Sequence, residues 1–391
     1  MTLAAMEPML PSDPALSTRA SEIFGAAERL GRHLHPVTLS AVADLLRTVN
    51  CYYSNLIEGH DTHPTSIERA MKQDYSANTT ARNLQIEALA HITVQKLIEE
   101  RLEHEPSANV CGADFIGWIH AEFYQLLPEE FRVVRDPESG KEEPVIPGKL
   151  RHFQVTVGNH IPAASDQLPA LLERFALVYD PSTRPRTEAL AALGAAHHRL
   201  LWIHPFGDGN GRVTRLMTDA YLRRIGLGGH GLWTASRGLA RHRDDYKKLL
   251  ANADHSRWDD HFFLDICADQ IKYMAGLLDI DGLADRALKY GKGREVGFIA
   301  GPLTGRNWRP AATLFLRNLV YRGSIPRGEV EAITGMSDRT ARRLVNELVA
   351  EGFIESDTRR APLRLRIPAH AAPYLLPDLF NPPTEGLKTR D

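Results

Sequence analysis

The feature that most constrains this chain is the sequence HPFGDGNGRVTR at residues 204–215. The apolar stretch before it, Glu188–Ile203, has the pattern of a long helix, and that helix must end here because Pro205 and the glycines cannot continue it. A second helix is predicted to start near Gly211 and to include Val213–Ile225. The chain must therefore fold locally as two helices joined by a glycine-rich turn.

Glycines in such a turn let successive backbone N–H groups converge on an anion, and the positive end of the following helix dipole adds to that attraction. Arg212 and Arg215 lie three residues apart, so their side chains share one face of the first helical turns. Asp208 is a carboxylate suited to holding Mg²⁺ beside phosphates. His204 is the residue type that can take a proton from an attacking hydroxyl.

Each of these residues alone is more often structural: a histidine that ends a helix, or arginines on a solvated face. All of them in one string indicate a polyphosphate site for phosphoryl or nucleotidyl transfer, because the specificity of a motif grows with every fixed position. The spacing of His197, His198 and His204 is not that of metal ligands. His197 and His198 are expected to be packing residues of the central helix.

Residues 204–215 match every fixed position of the Fic family signature, HPF-x-[DE]-GN-G-R-x-x-R. Gly148–Gly158 resembles the family's β-hairpin flap, and Ser54–Gly59 resembles its inhibitory motif, [ST]-x-x-x-E-[GN]. The resemblance covers roughly residues 40–280. It implies a mainly α fold, with a Fic helical core and a β-hairpin flap, and the transfer of AMP from ATP to a Ser, Thr or Tyr hydroxyl of a target protein.

The resemblance also assigns roles. His204 would be the general base and Asp208 the Mg²⁺ ligand, while Arg212 would hold the inner phosphates and Arg215 the γ-phosphate. Backbone groups would bind the rest: the triphosphate at Gly209, Asn210 and Gly211, and the target peptide, as an added strand, at Val155, Thr156, Val157 and Gly158. Tyr246 and Asn252 resemble the residues on the adenine side, although their spacing is only approximate.

Ser54 and Glu58 are four residues apart, hence on one face of a helix, and Gly59 is typical of a helix end. The resemblance implies that Glu58 pairs with Arg215 in place of the γ-phosphate and so restrains AMP transfer. A glutamate on a surface helix is the alternative, because so short a pattern also occurs by chance. In some family members this residue positions a water that removes AMP, so reaction in both directions is a second hypothesis.

The chain has 391 residues, a formal net charge of −2 and three cysteines, Cys51, Cys111 and Cys267. The cysteines are too few and too far apart for a disulfide framework or a zinc finger. With no secretory signal and no apolar stretch of membrane-spanning length, a cytoplasmic protein is expected. The predicted domains are an N-terminal helical region, the catalytic core, a linker, a winged helix and a tail, at residues 1–105, 106–285, 286–307, 308–370 and 371–391. Residues 1–20 are expected to be loosely ordered.

Residues 306–366 contain 12 arginines and seven acidic residues, a net charge of +5. Helices at Ala311–Tyr321, Arg327–Thr334 and Asp338–Glu351, followed by two short strands, predict a winged helix-turn-helix in which Ser337 caps the last helix. Five arginines would face duplex DNA: Arg339, Arg342 and Arg343 on the recognition helix, and Arg359 and Arg360 at the wing. Dimerisation or binding of a protein partner is the alternative use of this module.

Two functions from different classes follow. The first is an AMP-transferring enzyme that uses ATP and Mg²⁺, modifies a target protein or itself, and forms a homodimer. The second is a DNA-binding regulator whose catalytic core chiefly senses nucleotide.

Overall fold

The computed structural model describes residues 9–11, 13–135, 140–158, 160–253, 259–302 and 307–380. Outside this range lie Asn159, which directly follows the expected flap, residues 381–391 of the expected tail, and Trp258, at which the apolar pattern of the sequence predicts the start of a helix that continues to about Leu278. Within it the fold is mainly α, as predicted. The α-helices are α1 Pro14–Arg29, α2 Pro36–Ile57, α3 Pro64–Met71, α4 Thr79–His104, α5 Ala113–Gln125, α6 Leu168–Tyr179, α7 Arg186–Ile203, α8 Asn210–Arg224, α9 Ala235–Arg241, α10 Arg243–Ala253, α11 Asp260–Leu277, α12 Ile280–Glu295, α13 Pro310–Arg322, α14 Val330–Thr334, α15 Asp338–Ala350 and α16 Ala372–Leu375.

The described residues form two compact units. The first contains residues up to 28, 50–229 and 234–270, and the second contains 29–49, 230–233 and 271 onward. The expected boundary at residues 105 and 106 therefore falls inside the first unit. From Pro14 onward, helix α1 corrects the expectation that residues 1–20 are loosely ordered, because it buries Leu16 and Ala20.

Helix α7 is the centre of the first unit. Almost every residue from Ala189 to Ile203 is buried, including His197 and His198, so the helix has no solvated face. A helix that is apolar all round is a core helix. Helices α6 and α8 pack on it, and α4 and α5 pack against α8. The turn between α7 and α8, which contains residues 204–209, is thereby fixed at both ends.

Residues 153–157, FQVTV, alternate between apolar and polar side chains, and this alternation predicts a strand of a β-hairpin. The β-hairpin of this unit lies elsewhere. Strands β1 Val133–Arg135 and β2 Glu142–Pro144 pair antiparallel, with Val133 opposite Pro144. The predicted strand at residues 153–157 has a single bridge, in which Val157 and His160 exchange backbone hydrogen bonds of 3.0 Å. The flap is thus a bridged turn rather than a regular hairpin.

In the second unit, α12 continues to Glu295 through the first half of the expected linker. Its buried residues Leu283, Ala287 and Tyr290 follow helical spacing and pack against α13. A Cβ at Gly291 would collide with Thr313 of α13, so this glycine permits a close approach of the two helices. Gly291 and Gly293 of the expected linker therefore belong to a packed helix, whereas Gly297 and Gly301 follow it.

The C-terminal elements have the predicted order. Helices α13, α14 and α15 are accompanied by an antiparallel sheet in the order β3-β5-β4, formed by Ser324–Ile325, Leu363–Leu365 and Ile354–Glu355. Strand β3 was not predicted because two residues carry no periodicity. Ser337 occupies the N-cap position of α15, but its side chain contacts the Thr340 hydroxyl and not a backbone N–H. No helix in the described part of the chain combines the length and the apolar character needed to cross a membrane.

Candidate active site

Residues of the turn between α7 and α8, together with the first residue of α8, fix the conformation of that turn. His204 ends α7 in the left-handed conformation, and Gly209 adopts the same conformation at the N-cap of α8. A Cβ at Gly209 would collide with the Tyr124 ring, so the position requires glycine. The Asn210 side chain accepts from Phe206 N–H and donates to Phe206 C=O, both at 2.9 Å. The Asn210 side chain therefore shapes the turn, and only its backbone remains for a phosphate.

His204 has the features of a base at neutral pH. Its Nδ1 lies 3.2 Å from the Leu201 carbonyl, which can only accept, so Nδ1 carries the hydrogen and Nε2 keeps its lone pair. Burial lowers the pKa of His204 to about 4, because a buried imidazolium is poorly solvated. The imidazole is therefore neutral at pH 7 and able to accept a proton at Nε2.

Arg215 is bound by the segment that resembles the inhibitory motif. Its Nη2 donates to Glu58 Oε1 at 2.5 Å and to the Ser54 carbonyl at 3.0 Å, while its Nε donates to the Ser54 hydroxyl at 2.9 Å. A side chain on Gly211 would collide with the Glu58 carboxylate. Glu58 therefore lies against the first turn of α8, where an anion would bind.

The charge state of Glu58 follows from this position. Burial acts to raise the pKa of its carboxyl, but Arg215 and Arg212 outweigh that effect and hold the pKa below its usual value. Glu58 is therefore an anion at pH 7. Helix α2 ends at Ile57, directly before Glu58, and Gly59 follows with a φ of 92°, which fits its predicted place at the helix end.

Asp208 lies in the turn and its carboxylate is 46% exposed. Tyr124 Oη donates to its Oδ2 at 2.7 Å, and Arg212 Nη2 lies 3.3 Å from the same oxygen. Across the described residues, no three His, Cys, Asp or Glu side chains converge as a metal site. One accessible carboxylate nevertheless fits Mg²⁺, which is commonly held by one or two carboxylates, substrate phosphates and water.

Arg212 has a partner that sequence reasoning missed. Its Nη1 donates to Glu87 Oε1 of α4, and the other oxygen of Glu87 lies 2.7 Å from His60 Nδ1. The guanidinium also lies over the Phe123 ring, 5.3 Å from its centre. No sequence motif marks Glu87, because a glutamate within a helix is usually solvated.

Arg151 was also missed, and it organises the flap. Its Nε donates to the His204 carbonyl at 2.8 Å, Nη1 to Phe153 at 3.0 Å and Nη2 to Ala163 at 2.5 Å. A Cβ at Gly207 would lie 2.9 Å from the Phe153 ring, so the flap reaches the turn directly. Of the predicted flap residues, Val155 is buried, whereas Thr156, Val157 and Gly158 are exposed.

The predicted adenine-side residues both lie on α10. Tyr246 is 3% exposed and its hydroxyl lies 2.6 Å from His197 Nε2, so its ring is packed in the core. Asn252 is exposed near the end of the same helix, α10. A place for Tyr246 and Asn252 on the adenine side of a bound nucleotide stays a prediction.

The arginines predicted to bind nucleic acid lie in the second unit. Arg339, Arg342, Arg343, Arg359 and Arg360 are all exposed. Arg342 pairs with Asp338 at 2.7 Å and Arg343 with Glu347 at 3.2 Å, both one helical turn away on α15. A cavity of about 900 Å³ is lined by Arg342 of α15 together with Arg359 and Arg360.

Residues 112–222 match the Fic/DOC family. This part of the chain is a Fic domain. The protein adenylyltransferase Fic of Drosophila grimshawi is 36% identical over 121 residues, which are 30% of this chain and 25% of that protein. The Drosophila melanogaster protein of the same name is 37% identical over 87 residues, 22% of this chain and 18% of that protein. The chain thus spans about a quarter or less of the length of these curated relatives.

Solved structures extend the likeness in fold. A Fic family protein from Desulfovibrio desulfuricans G20 aligns with a TM-score of 0.53 at 17% identity, over 92% of this chain and 98% of that one. Fic-1 from C. elegans aligns with a TM-score of 0.51 at 15% identity, over 68% of this chain and 72% of that one. At these identities the likeness shows the fold alone.

Proposed function

We propose that the Fic domain transfers AMP from ATP to a Ser, Thr or Tyr hydroxyl of a target protein, and that Glu58 restrains the reaction. The observation that carries the proposal is the position of Glu58, an anion bound to Arg215 against the first turn of α8. A site that holds a carboxylate there is built to hold a phosphate. The curated relatives are named protein adenylyltransferases, which supports the same reaction.

His204 would act on the target hydroxyl. As the hydroxyl oxygen forms its bond to the α-phosphorus, its proton passes to His204 Nε2, and the bond from the α-phosphorus to the bridging oxygen breaks. Pyrophosphate leaves with the electron pair of that bond. The neutral, Nδ1-protonated imidazole suits the role, because its free lone pair is on Nε2.

The phosphates would be held by the first backbone N–H groups of α8, which precede the first intrahelical bond from Val213 N to Gly209 O. Arg212 and Arg215 would add two cations, and burial lowers the pKa of Arg212 only to about 10, so it stays charged at pH 7. Asp208 would hold Mg²⁺ with the triphosphate, and the ion would supply charge neutralisation at the phosphate oxygens.

Glu58 would restrain the reaction by competition. Arg215 already donates to Glu58 and Ser54, so it cannot also hold a γ-phosphate. The Glu58 side chain is 34% exposed, so it can leave Arg215 for solvent when a nucleotide arrives. The exposed residues 156–158 would receive the target segment as an added strand.

The deciding experiment incubates the wild type and the Glu58→Gly variant with ATP and Mg²⁺, then measures intact mass. The Glu58→Gly variant should gain about 329 Da, the mass of an added AMP, at least tenfold faster than the wild type, because Arg215 is released. The control is the double variant Glu58→Gly/His204→Ala, which loses the base and should fall by about 10²–10⁴-fold. A gain of about 80 Da would instead indicate phosphate transfer. Equal labelling of the wild type and Glu58→Gly would contradict the restraint.

The exposed arginines of the second unit favour a second candidate function, DNA binding with the Fic domain as a nucleotide sensor. Arg339, Arg359 and Arg360 are exposed in a segment with a net charge of +5. A His204→Ala protein that still retards duplex DNA, together with no ATP-dependent labelling by Glu58→Gly, would favour this function over AMP transfer.

A further inference from the structure

Arg212 is held by a carboxylate that comes from a different part of the fold than residues 204–215. Glu87 lies on α4, and its Oε1 accepts from Arg212 Nη1. The second terminal nitrogen of Arg212, Nη2, points to Asp208 at 3.3 Å. Nη1 of Arg212 is thus bound to Glu87, while Nη2 is directed to the turn where phosphates would bind.

The pairs Arg212–Glu87 and Arg215–Glu58 differ in access to water. The Glu87 side chain is 0% exposed, against 34% for Glu58. Separating Arg212 from Glu87 would leave a fully buried carboxylate without its cation, whereas Glu58 can turn to solvent. An arriving triphosphate can therefore replace Glu58 on Arg215 but cannot replace Glu87 on Arg212.

The orientation of Glu87 is fixed from its other side. His60 Nδ1 lies 2.7 Å from Glu87 Oε2, so both carboxylate oxygens are engaged in different directions. Rotation of the carboxylate toward another partner would break one of these contacts. Arg212 therefore has a defined position before any ligand binds.

We infer that Glu87 is a positioning residue of the nucleotide site: it holds Arg212 in the orientation in which Nη2, the end directed to Asp208, meets the inner phosphates. This inference rests on the proposed nucleotide site, although not on the transfer of AMP. Glu87 thus stays bound to Arg212 and orients it, whereas Glu58 occupies Arg215 until a nucleotide displaces it.

The test measures binding by titration calorimetry in a Glu58→Gly parent, with Mg·ATP and with adenosine as probes. Glu87→Gln keeps the shape of the side chain but removes its charge. It should raise the Kd for Mg·ATP roughly 10- to 100-fold, the factor for one hydrogen bond to a charged group, and leave the Kd for adenosine unchanged. The matched control is Glu99→Gln, on the same helix, whose partner Arg223 belongs to α8 but lies outside residues 204–215. It should leave both Kd values unchanged.

A Kd for Mg·ATP within about twofold of the parent, or equal weakening of Mg·ATP and adenosine, would overturn the positioning role. If Glu87→Gln does not fold, His60→Ala decides the question, because His60 is partly exposed and its loss frees the Glu87 carboxylate to rotate. A Kd for Mg·ATP raised about threefold or more would support the role, and an unchanged Kd would reject it. A parent that binds Mg·ATP but transfers no AMP would refute the proposed reaction and leave this test valid.

Discussion

The arginines of the Fic domain and those of helix α15 are the same residue type in opposite surroundings. Arg212 and Arg215 are buried and receive their carboxylates from distant parts of the chain, Glu87 of α4 and Glu58 directly after α2. Arg342 and Arg343 are exposed and pair with acids one turn away on their own helix. The first pair depends on the tertiary fold, whereas the second requires only that a helix forms.

This difference separates two uses of positive charge. A buried arginine is already removed from water and is held in one geometry, so it suits a ligand of fixed shape such as a triphosphate. An exposed arginine is screened by salt and samples many rotamers, so it suits a long polyanion that needs charge more than fit. The comparison can be tested at three levels.

The largest effect is expected at a buried ion pair that lies outside the candidate active site. In the second unit, Arg294 and Glu351 form a buried bidentate pair at 2.8 and 2.9 Å. Glu351→Ala should lower the free energy of unfolding by about 3–5 kcal/mol, because it leaves a buried cation unpaired. Asp338→Ala, which breaks the exposed pair with Arg342, should cost less than about 1 kcal/mol. Urea unfolding of the full chain measures both, and equal losses would break the comparison.

An intermediate effect is expected from the burial of His204. Because its pKa is lowered to about 4, the base stays deprotonated well below the ordinary histidine value of 6.5. The rate of AMP transfer by the Glu58→Gly variant should therefore be constant from pH 8 to about 5.5 and decline only as the pH nears the lowered pKa. A rate that is already halved near pH 6.5 would show that His204 titrates as an exposed histidine does.

The smallest effect is expected at the exposed arginines. If the second unit binds duplex DNA, Arg339→Gln should weaken binding by a factor of roughly 3–10 at low salt and reduce the slope of log K against log salt by about one. Arg342→Gln should change binding less, because its charge is already shared with Asp338. Fluorescence anisotropy over a salt series would measure both. A salt-independent loss for Arg339→Gln would point to a base contact instead.

Sequence reasoning was most successful where one contiguous segment carries the chemistry. Residues 204–215 could be assigned because Pro205 and the glycines fix the backbone and leave few alternatives. Ser54 and Glu58 could be found because their helical spacing places both on one face, and the structure brings both to Arg215.

Residues that reach the site from elsewhere were not predictable. Glu87, Tyr124 and Arg151 lie on other elements, and none has a local pattern that distinguishes it from ordinary surface or core residues. Their roles come from tertiary packing, which brings Glu87 to Arg212 and Tyr124 to Asp208. Arg212 offered a signal for an acidic partner, because an arginine that is buried requires a buried acid elsewhere in the chain.

The flap shows how a local pattern can be overruled. Residues 153–157 alternate as a strand does, but a strand needs a neighbour for its backbone groups. Here the Arg151 guanidinium donates hydrogen bonds to the carbonyls of Phe153 and Ala163, so a side chain joins the two sides of the turn. The ladder that the alternation predicted is reduced to the bridge between Val157 and His160.

The left-handed backbone of His204, at φ 50 and ψ 63, affects how a catalytically silent form of the protein should be made. Its carbonyl receives Arg151, so a shift of the main chain at residue 204 would pass directly to the flap. Asparagine tolerates this conformation better than alanine or a branched residue does. An asparagine at this position would therefore remove the base while preserving the docking surface, which is the property required of bait for capturing a target protein.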